Sequence, residues 1–397
     1  MENSQVKTSS YRNEYLRRTE NIVLRIAERV VRASDREHPA DGVLRAELKA
    51  QRDLPPAERT RASNAVFAFF RWRGWLNPQQ PLSDQIRAAL AMADKYSREP
   101  ESLNPADLVA RAVPGWVSAT MEVSPEWARA LQNPPRLWLR ARRGQGKALA
   151  DKLAHCNVFG KGALSDTVEY RGHGDLFLTP EFHAGEFELQ DISSQAVGLI
   201  CAPRAGETWW DACAGEGGKT LHLSELMENK GLIWASDPAS WRLQKLKRRT
   251  ARARVFNYRA AAWDGRPKLP TKTRFDGVLV DAPCSGIGTW QRNPHARWTV
   301  TPQDVQELSE VQKSILANAA AAVKPGGKLI YAVCTLTRSE TVEVAEAFEK
   351  QFPEFEPLLM GDPLVPDAPT RSQVEYWPQQ FGGSGMFVAG WLRRVQP

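Results

Sequence analysis

The chain has little of what stabilises secreted, metal-stapled or membrane proteins. Its 397 residues include five cysteines, Cys156, Cys201, Cys213, Cys284 and Cys334. An odd number at irregular spacing, with no Cys-x-x-Cys pair and no His in ligand register, argues against a disulfide framework and against structural zinc. No metal centre is expected. The N-terminal Met-Glu-Asn-Ser-Gln-Val-Lys lacks the apolar stretch of a secretory signal. The longest apolar run, Leu316 to Val323, is too short and too alanine-rich to span a bilayer. A cytoplasmic protein with no membrane partner is expected. Internal repeats and low-complexity tracts are also missing, so the chain reads as ordinary globular domains, two or three at this length.

Acidic residues are absent where basic ones gather. The net charge is +7, and from Trp241 to Arg259 eight basic residues (Arg242, Lys245, Lys247, Arg248, Arg249, Arg252, Arg254, Arg259) meet no acid. Between Arg136 and Lys161 seven basic residues meet Asp151 alone. Stripes of this kind bind phosphates through counterion release, and nucleic-acid contact is expected of them. The alternative is a solvated helix face.

Apolar residues at helical spacing (Tyr15, Ile22, Val23, Ile26, Val30, Val31, then Val66, Phe67, Phe69, Phe70, Leu76) predict an all-α unit over 1–105, closed by a Pro- and Ser-containing linker at Glu99 to Pro105. Residues 106–190 mix strand and helix signals, with Leu137-Trp-Leu as a strand and Ala148 to Leu153 as a helix, and predict a small α/β module. From 191 to 397 the pattern is regular. Short apolar runs at Thr208 to Asp211, Leu232 to Ala235, Val255 to Tyr258, Val278 to Val280 and Leu329 to Val333 alternate with helical stretches. That alternation predicts a parallel, doubly wound α/β sheet.

The first of these strands ends in Asp211-Ala-Cys-Ala-Gly-Glu-Gly-Gly-Lys-Thr. Such a turn lets backbone approach a nucleotide-like ligand. The dinucleotide fingerprint fails because Thr220 stands where a third glycine is required, and the P-loop fails because Cys213 stands where its first glycine belongs. What remains is a glycine turn without a complete phosphate cradle, followed by Asp237 at the end of the next strand, placed for ribose hydroxyls, and Asp264 after the third, placed for an adenine amino group. An adenosine ligand without a polyphosphate, S-adenosylmethionine, satisfies this series best. Each Asp taken alone also suits an N-cap or a turn.

Cys284 in Asp281-Ala-Pro-Cys-Ser-Gly and Cys334 in Tyr331-Ala-Val-Cys-Thr-Leu each follow an apolar strand. Ligands of open α/β sheets sit beyond these carboxyl ends. Two thiols in one pocket suit methylation at carbon 5 of cytosine, a poor nucleophile until a thiolate adds to carbon 6. Asp281 would stabilise charge on the ring, and Lys219 would add positive charge. Cys156, Cys201 and Cys213 read as small buried hydrophobes.

At these residues the chain resembles the RsmB/NSUN family of RNA 5-methylcytosine methyltransferases. The likeness runs through Gln190-Asp-Ile-Ser-Ser-Gln, Asp281-Ala-Pro-Cys-Ser-Gly-Ile-Gly, Arg292-Asn-Pro with Trp298, Lys324-Pro-Gly-Gly and Tyr331-Ala-Val-Cys, in family order over nearly the whole length. It implies a class I S-adenosylmethionine-dependent methyltransferase domain (a Rossmann-like sheet), a small RNA-binding subdomain, and an N-terminal NusB-like domain of the ribosomal small-subunit type, marked by Ala40-Asp41, Arg59 to Arg61 and Phe70-Arg-Trp-Arg. It implies Cys334 as nucleophile and Cys284 as the thiol assisting release, beside the Asp281 and Lys219 already read from the chemistry. Cofactor contacts are expected from Cys213, Ala214, Gly215, Glu216, Gly217, Gly218, Lys219, Asp237, Arg242, Asp264 and Asp281.

Three departures stand out. The family's Arg-x-Asn becomes Arg140-Ala-Arg. Its Ala-Ala-Pro-Gly-Gly-Lys loop becomes Ala214-Gly-Glu-Gly-Gly-Lys, so Glu216 adds a negative charge near the expected methionine moiety. Its Thr-Cys becomes Val333-Cys334. Trp290, Trp298 and Arg292 are candidates to stack or guide the base. The expected partner is RNA, ribosomal before transfer RNA, and a monomer is expected. An RNA-binding assembly factor without catalysis, permitted by Glu216 and Val333, and a DNA methyltransferase using Cys284 remain alternatives.

Overall fold

The computed structural model describes residues 20–395; Tyr15 lies outside them. The chain divides into two compact units, Met1–Pro134 with Trp290–Thr301, and Pro135–Thr289 with Pro302–Pro397. No helix among the described residues is long and apolar enough to cross a membrane.

The first unit is helical, with α1 over residues 20–33, α2 (Ala40–Ala50), α3 (Pro56–Trp72), α4 (Leu82–Arg98), α5 (Pro105–Arg111) and α6 (Pro125–Gln132). Val23, Ile26, Val30, Leu44, Val66, Phe69, Phe70 and Ile86 fill its core. The division expected at 105 falls instead after Pro134. Glu99 to Pro105 is no linker: Tyr96 Oη donates to the Arg129 carbonyl at 3.1 Å, and Arg129 reaches back to the carbonyl of Pro100. Its turn-forming residues start a helix, with Asn104 capping α5 through the Ala106 amide and Pro105 at the first helical position.

The second unit begins with an antiparallel sheet in the order β2-β3-β1-β4, made of β1 (Leu137–Ala141), β2 (Cys156–Val158), β3 (Thr167–Tyr170) and β4 (Phe187–Leu189), with α7 (Gly146–Leu153) and α8 (Pro180–His183). Helix α9 (Ile192–Cys201) leads into the large sheet. Its strands are β5 (Thr208–Asp211), β6 (Leu232–Ser236), β7 (Tyr258–Ala261), β8 (Phe275–Asp281), β9 (Val323–Val333), β10 (Phe355–Pro357), β11 (Gln373–Tyr376) and β12 (Met386–Arg393). They run in the order β10-β12-β9-β8-β5-β6-β7, and β11 pairs with β12. Helices α10 (Gly218–Leu226), α11 (Ser240–Arg252), α12 (Pro302–Ala320) and α13 (Val342–Gln351) follow β5, β6, β8 and β9.

The sheet is parallel from β7 to β9, but β12 pairs antiparallel with β9, and β10 and β11 pair antiparallel with β12. The expectation of a wholly parallel sheet is corrected at this edge. Alternate residues enter opposite cores: Trp210, Val278, Val280 and Tyr331 on one face, Trp209, Leu279, Ile330 and Ala332 on the other. Burial on both faces explains why these strands read as unbroken apolar runs. Strand β7 starts three residues later than the Val255 run implies, because Asn229 Oδ1 accepts from the Phe256 and Asn257 amides and holds them outside the ladder. Strand β9 absorbs Lys324-Pro-Gly-Gly through a shift of register against β8 instead of beginning after it.

Candidate active site

Strand β5 has β6 on one side and β8 on the other, so the order reverses beside its carboxyl end and opens a crevice there. The loop leaving β5 turns into α10 through Gly215 (φ +55°) and Gly217 (φ +88°). A Cβ at Gly217 would lie 2.7 Å from Leu246 Cγ, so both backbone conformation and space exclude a larger residue. The turn sets Lys219 in the first turn of α10, nearly buried, with Nζ 2.7 Å from Asp281 Oδ2 at the end of β8. Burial works against the ammonium, but Asp281 and the nearby Cys334 outweigh it and hold its pKa above the ordinary value.

The two thiols meet in the same place. Cys284 Sγ and Cys334 Sγ are 3.3 Å apart, and neither cysteine is in a disulfide. The hydrogen bond to Cys334, burial and the charge of Glu340 together push the Cys284 thiol well above its ordinary pKa. Cys284 therefore keeps its proton at neutral pH, in position to donate it to the sulfur of Cys334.

The spacing of the thiols is set by a residue that the sequence reading missed. Glu340 is fully buried, and its carboxylate accepts from the Ser285 amide (2.8 Å), Gln312 Nε2 (3.0 Å), and the hydroxyls of Ser285, Thr335 (3.0 Å) and Thr337 (2.8 Å). Ser285 follows one cysteine and Thr335 the other, and their hydroxyls also meet at 2.9 Å. Gln312 ties the Pro283 carbonyl to this cluster, and Tyr331 Oη donates to Gln312 Oε1 and to the Glu340 carbonyl. The only sequence signal was the run of hydroxyls ahead of an acid, Thr335-Leu-Thr-Arg-Ser-Glu.

Of the expected site residues, the structure brings Lys219, Asp281, Cys284 and Cys334 together. Asp237 is buried at the end of β6, accepting from the Ala239 amide at 2.8 Å, with Arg242 3.5 Å away. Asp264 lies in an exposed loop turned to Arg266. Glu216 does not present a bare charge: its carboxylate pairs with Lys245 at 2.6 Å, and its carbonyl accepts from Arg249. Cys213, next to Ala214 in the loop, is pushed well up in pKa by burial and the surrounding Asp211, Asp281 and Asp237. Asp211 was not singled out, yet it is fully buried. Its Oδ2 accepts from Thr220 at 2.6 Å, while Oδ1 has no partner.

Other candidates turn inward. Arg140 is buried, donating to Gln190 Oε1 at 2.7 Å and pairing with Glu225. Trp290 is fully buried between Trp116 and Trp127, and Trp298 Nε1 donates to the Phe70 carbonyl at 2.6 Å. Trp290 is thus enclosed in the first unit's interior, whereas Trp298 is half-buried against that unit's core. Arg292 is exposed.

Comparison with known proteins places this arrangement. Residues 198–392 match the family model described as 16S rRNA methyltransferase RsmB/F. The ribosomal RNA small subunit methyltransferase B of Enterobacter sp. is 30% identical over 325 residues, covering 80% of this chain and 71% of that protein. The probable ribosomal RNA small subunit methyltransferase B of Bacillus subtilis is 34% identical over 270 residues, 66% of this chain and 60% of that one. Its counterpart in Synechocystis is matched over 50% of its length, so the chain spans only part of these relatives. Among solved structures, PH0851 superposes with a TM-score of 0.74 at 20% identity, over 89% of this chain and 94% of that one. A methyltransferase homologue from Pyrococcus horikoshii does so at 0.56 and 24% identity, over 76% and 99%. These likenesses give the fold, that of class I methyltransferases. With the sequence matches, they establish that the chain belongs to the RsmB/F methyltransferase family.

Proposed function

We propose that the chain transfers a methyl group from S-adenosylmethionine to carbon 5 of a cytosine in RNA, 16S ribosomal RNA before other substrates. The observation that carries this reading is the thiol pair 3.3 Å apart, with Lys219 and Asp281 beside it. The crevice fits the cofactor. Left-handed glycines strip side chains from the turn, Asp237 stands at the end of β6, and the unpartnered Oδ1 of Asp211 leaves a buried acceptor next to the loop. Cys213 to Lys219, Asp237, Arg242, Asp264 and Asp281 are the residues assigned to hold it. Bound there, it supplies an electrophilic methyl on a sulfonium.

The chain's own groups prepare the base. Cys334, as thiolate, adds to carbon 6, and the electron pair displaced from the ring double bond makes carbon 5 nucleophilic. Asp281, held by Lys219, shares a proton with ring N3 and so carries the charge that develops there. Once carbon 5 is methylated it loses its proton to the Cys284 sulfur, which gives up its own proton in the same step. The pair from the carbon–hydrogen bond re-forms the ring double bond, and the carbon–sulfur bond breaks with its pair leaving on Cys334. Cys284, the thiol that keeps its proton, protonates the departing Cys334 sulfur. The helical first unit is assigned the NusB-like RNA-binding role, and the names of the relatives favour ribosomal RNA.

The test is to incubate the full chain with labelled cofactor and unmodified small-subunit RNA, and to resolve protein–RNA adducts on a denaturing gel. Cys334→Ala is expected to form no adduct, and Cys284→Ala to accumulate a trapped one. The reverse pattern would move the nucleophile to Cys284, and no methyl incorporation by the unaltered chain would overturn the reading.

A further inference from the structure

The two basic stripes differ once their partners in space are known. In the 136–161 stripe, Arg140 pairs with Glu225, Arg143 with Glu228, Lys147 with Asp151 and Lys152 with Glu186. On α11, Arg249 and Arg252 are spent on Glu188 and Lys245 on Glu216. Lys247 and Arg248, both exposed, have no acidic partner among the described residues, and neither has Arg254 just beyond the helix. Lys161 and Arg259 are likewise exposed without an acidic partner among the described residues, and α11 contributes two neighbouring uncompensated charges, Lys247 and Arg248.

Aromatic surface is exposed in the same place. Trp241 is 52% exposed, with Lys245 Nζ 4.7 Å and Arg242 Cζ 5.3 Å from its ring. Across from α11, Phe177 is 54% and Leu178 76% exposed. Between them lies a cavity of about 390 Å³ lined by Phe177, Phe182, Leu189, Lys245, Arg248 and Arg252, together with Glu188 and Glu216, whose charges are met by Arg249, Arg252 and Lys245. Phe182 is fixed edge-on to Phe177 at 4.9 Å and covered by Arg252 at 3.7 Å, so the apolar wall is held in place.

A merely solvated helix face does not account for this. Like charges three and four residues apart repel, and acidic partners would relieve them at no cost. Exposed aromatics grouped with paired cations around one uncompensated charge, Arg248, instead match a ligand that is planar and apolar at one end and anionic at the other. Single-stranded nucleic acid is such a ligand. Trp241, Lys245 and Arg248 follow one another along one helix face, as a strand running over α11 requires.

We propose that this cavity is a subsite for one unpaired nucleotide of the substrate RNA, with its base against Phe177 and its phosphate at Arg248, and that Trp241 carries a neighbouring base. The proposal rests on the RNA reading above and adds to it a surface outside the thiol site.

Fluorescence anisotropy of the full chain with a short unstructured oligoribonucleotide, over a salt series, tests it. Phe177→Ala and Trp241→Ala should each weaken binding on the order of tenfold. Arg248→Ala should flatten the slope of log affinity against log salt by about 0.7, and Arg248→Lys should restore it. All these side chains are exposed, so thermal midpoints should not move. If the unaltered chain binds RNA and the variants bind it equally well with the same salt slope, the subsite is overturned while the methyltransferase reading stands. If the unaltered chain binds no RNA at low salt, the RNA reading fails and the subsite with it.

Discussion

Two sulfurs at 3.3 Å need their loops held from both sides, and one carboxylate does so. Glu340 gathers the residues that follow Cys284 and Cys334 onto its two oxygens, so its substitutions separate geometry from charge. Glu340→Ala leaves buried donors unmet and should cost on the order of 3 kcal/mol in unfolding free energy, at 1–3 kcal/mol per orphaned group, offset where hydroxyls find new partners. Glu340→Gln keeps an acceptor for the Ser285 amide and Gln312, and two of the three hydroxyls can turn to accept from its amide nitrogen. It removes the negative charge that helps hold the Cys284 proton. Loss of a nearby anion favours a thiolate, so alkylation of Cys284, followed by mass spectrometry across pH, should set in at lower pH in the Gln variant. An unshifted profile would leave Glu340 a purely mechanical part. The thiols, Lys219 and Asp281 were legible because their residue types and local turns are distinctive. Glu340 was not, since an acid after Thr-Arg-Ser reads as solvent-facing until the fold shows it buried.

At the scale of elements, the junction of β5 with α10 joins an expected feature to an unexpected one. The short apolar runs located β5, β6 and β8 closely because these strands are buried on both faces. The antiparallel β12 and its neighbours were not anticipated, as nothing local in Met386 to Arg393 states the direction of pairing. The glycine turn was legible, but the burial of Asp211 behind it was not. Burial chiefly, opposed by the Thr220 hydrogen bond and assisted by Asp281, raises the Asp211 pKa from 3.8 to about 7. A carboxyl with a raised folded pKa contributes stability that is complete below pH 3.8 and is lost as pH rises through 7, because the unfolded chain releases the proton first. Asp211→Asn, nearly the same shape and unable to ionise, should therefore gain on the unaltered chain between pH 5 and pH 8, by at most about 3 kcal/mol. Thermal unfolding at the two pH values measures this, and parallel profiles would refute it.

For the whole molecule, the sequence separated a helical part from an α/β part but misplaced the border, and it gave no sign that residues 290–301 return to the helical unit. A border between domains leaves a local mark only if a linker does, and here the Pro and Ser residues near 105 serve a helix start. The returning segment is held by Arg297, fully buried, which donates to the carbonyls of Ala112 (2.8 Å), Leu131 (3.1 Å), Arg71 (3.3 Å) and Trp290 (3.4 Å). Burial, then the neighbouring Arg71, lowers its pKa to about 9, so it remains charged at neutral pH, and each of these hydrogen bonds is charge-assisted. Arg297→Met fills similar space but leaves those carbonyls without their donor, and it should destabilise the first unit on the order of 3 kcal/mol. Arg297→Lys, with a charge but fewer donors in a different geometry, should fall between. Because the bonded carbonyls all lie in the first unit, hydrogen exchange should speed up in α3, α5 and α6 of the Met variant, while β5, β8 and β9 keep their protection. Equal loss in both would mean that the two units unfold as one cooperative body and that the insertion of 290–301 stabilises the whole chain instead of the unit it joins.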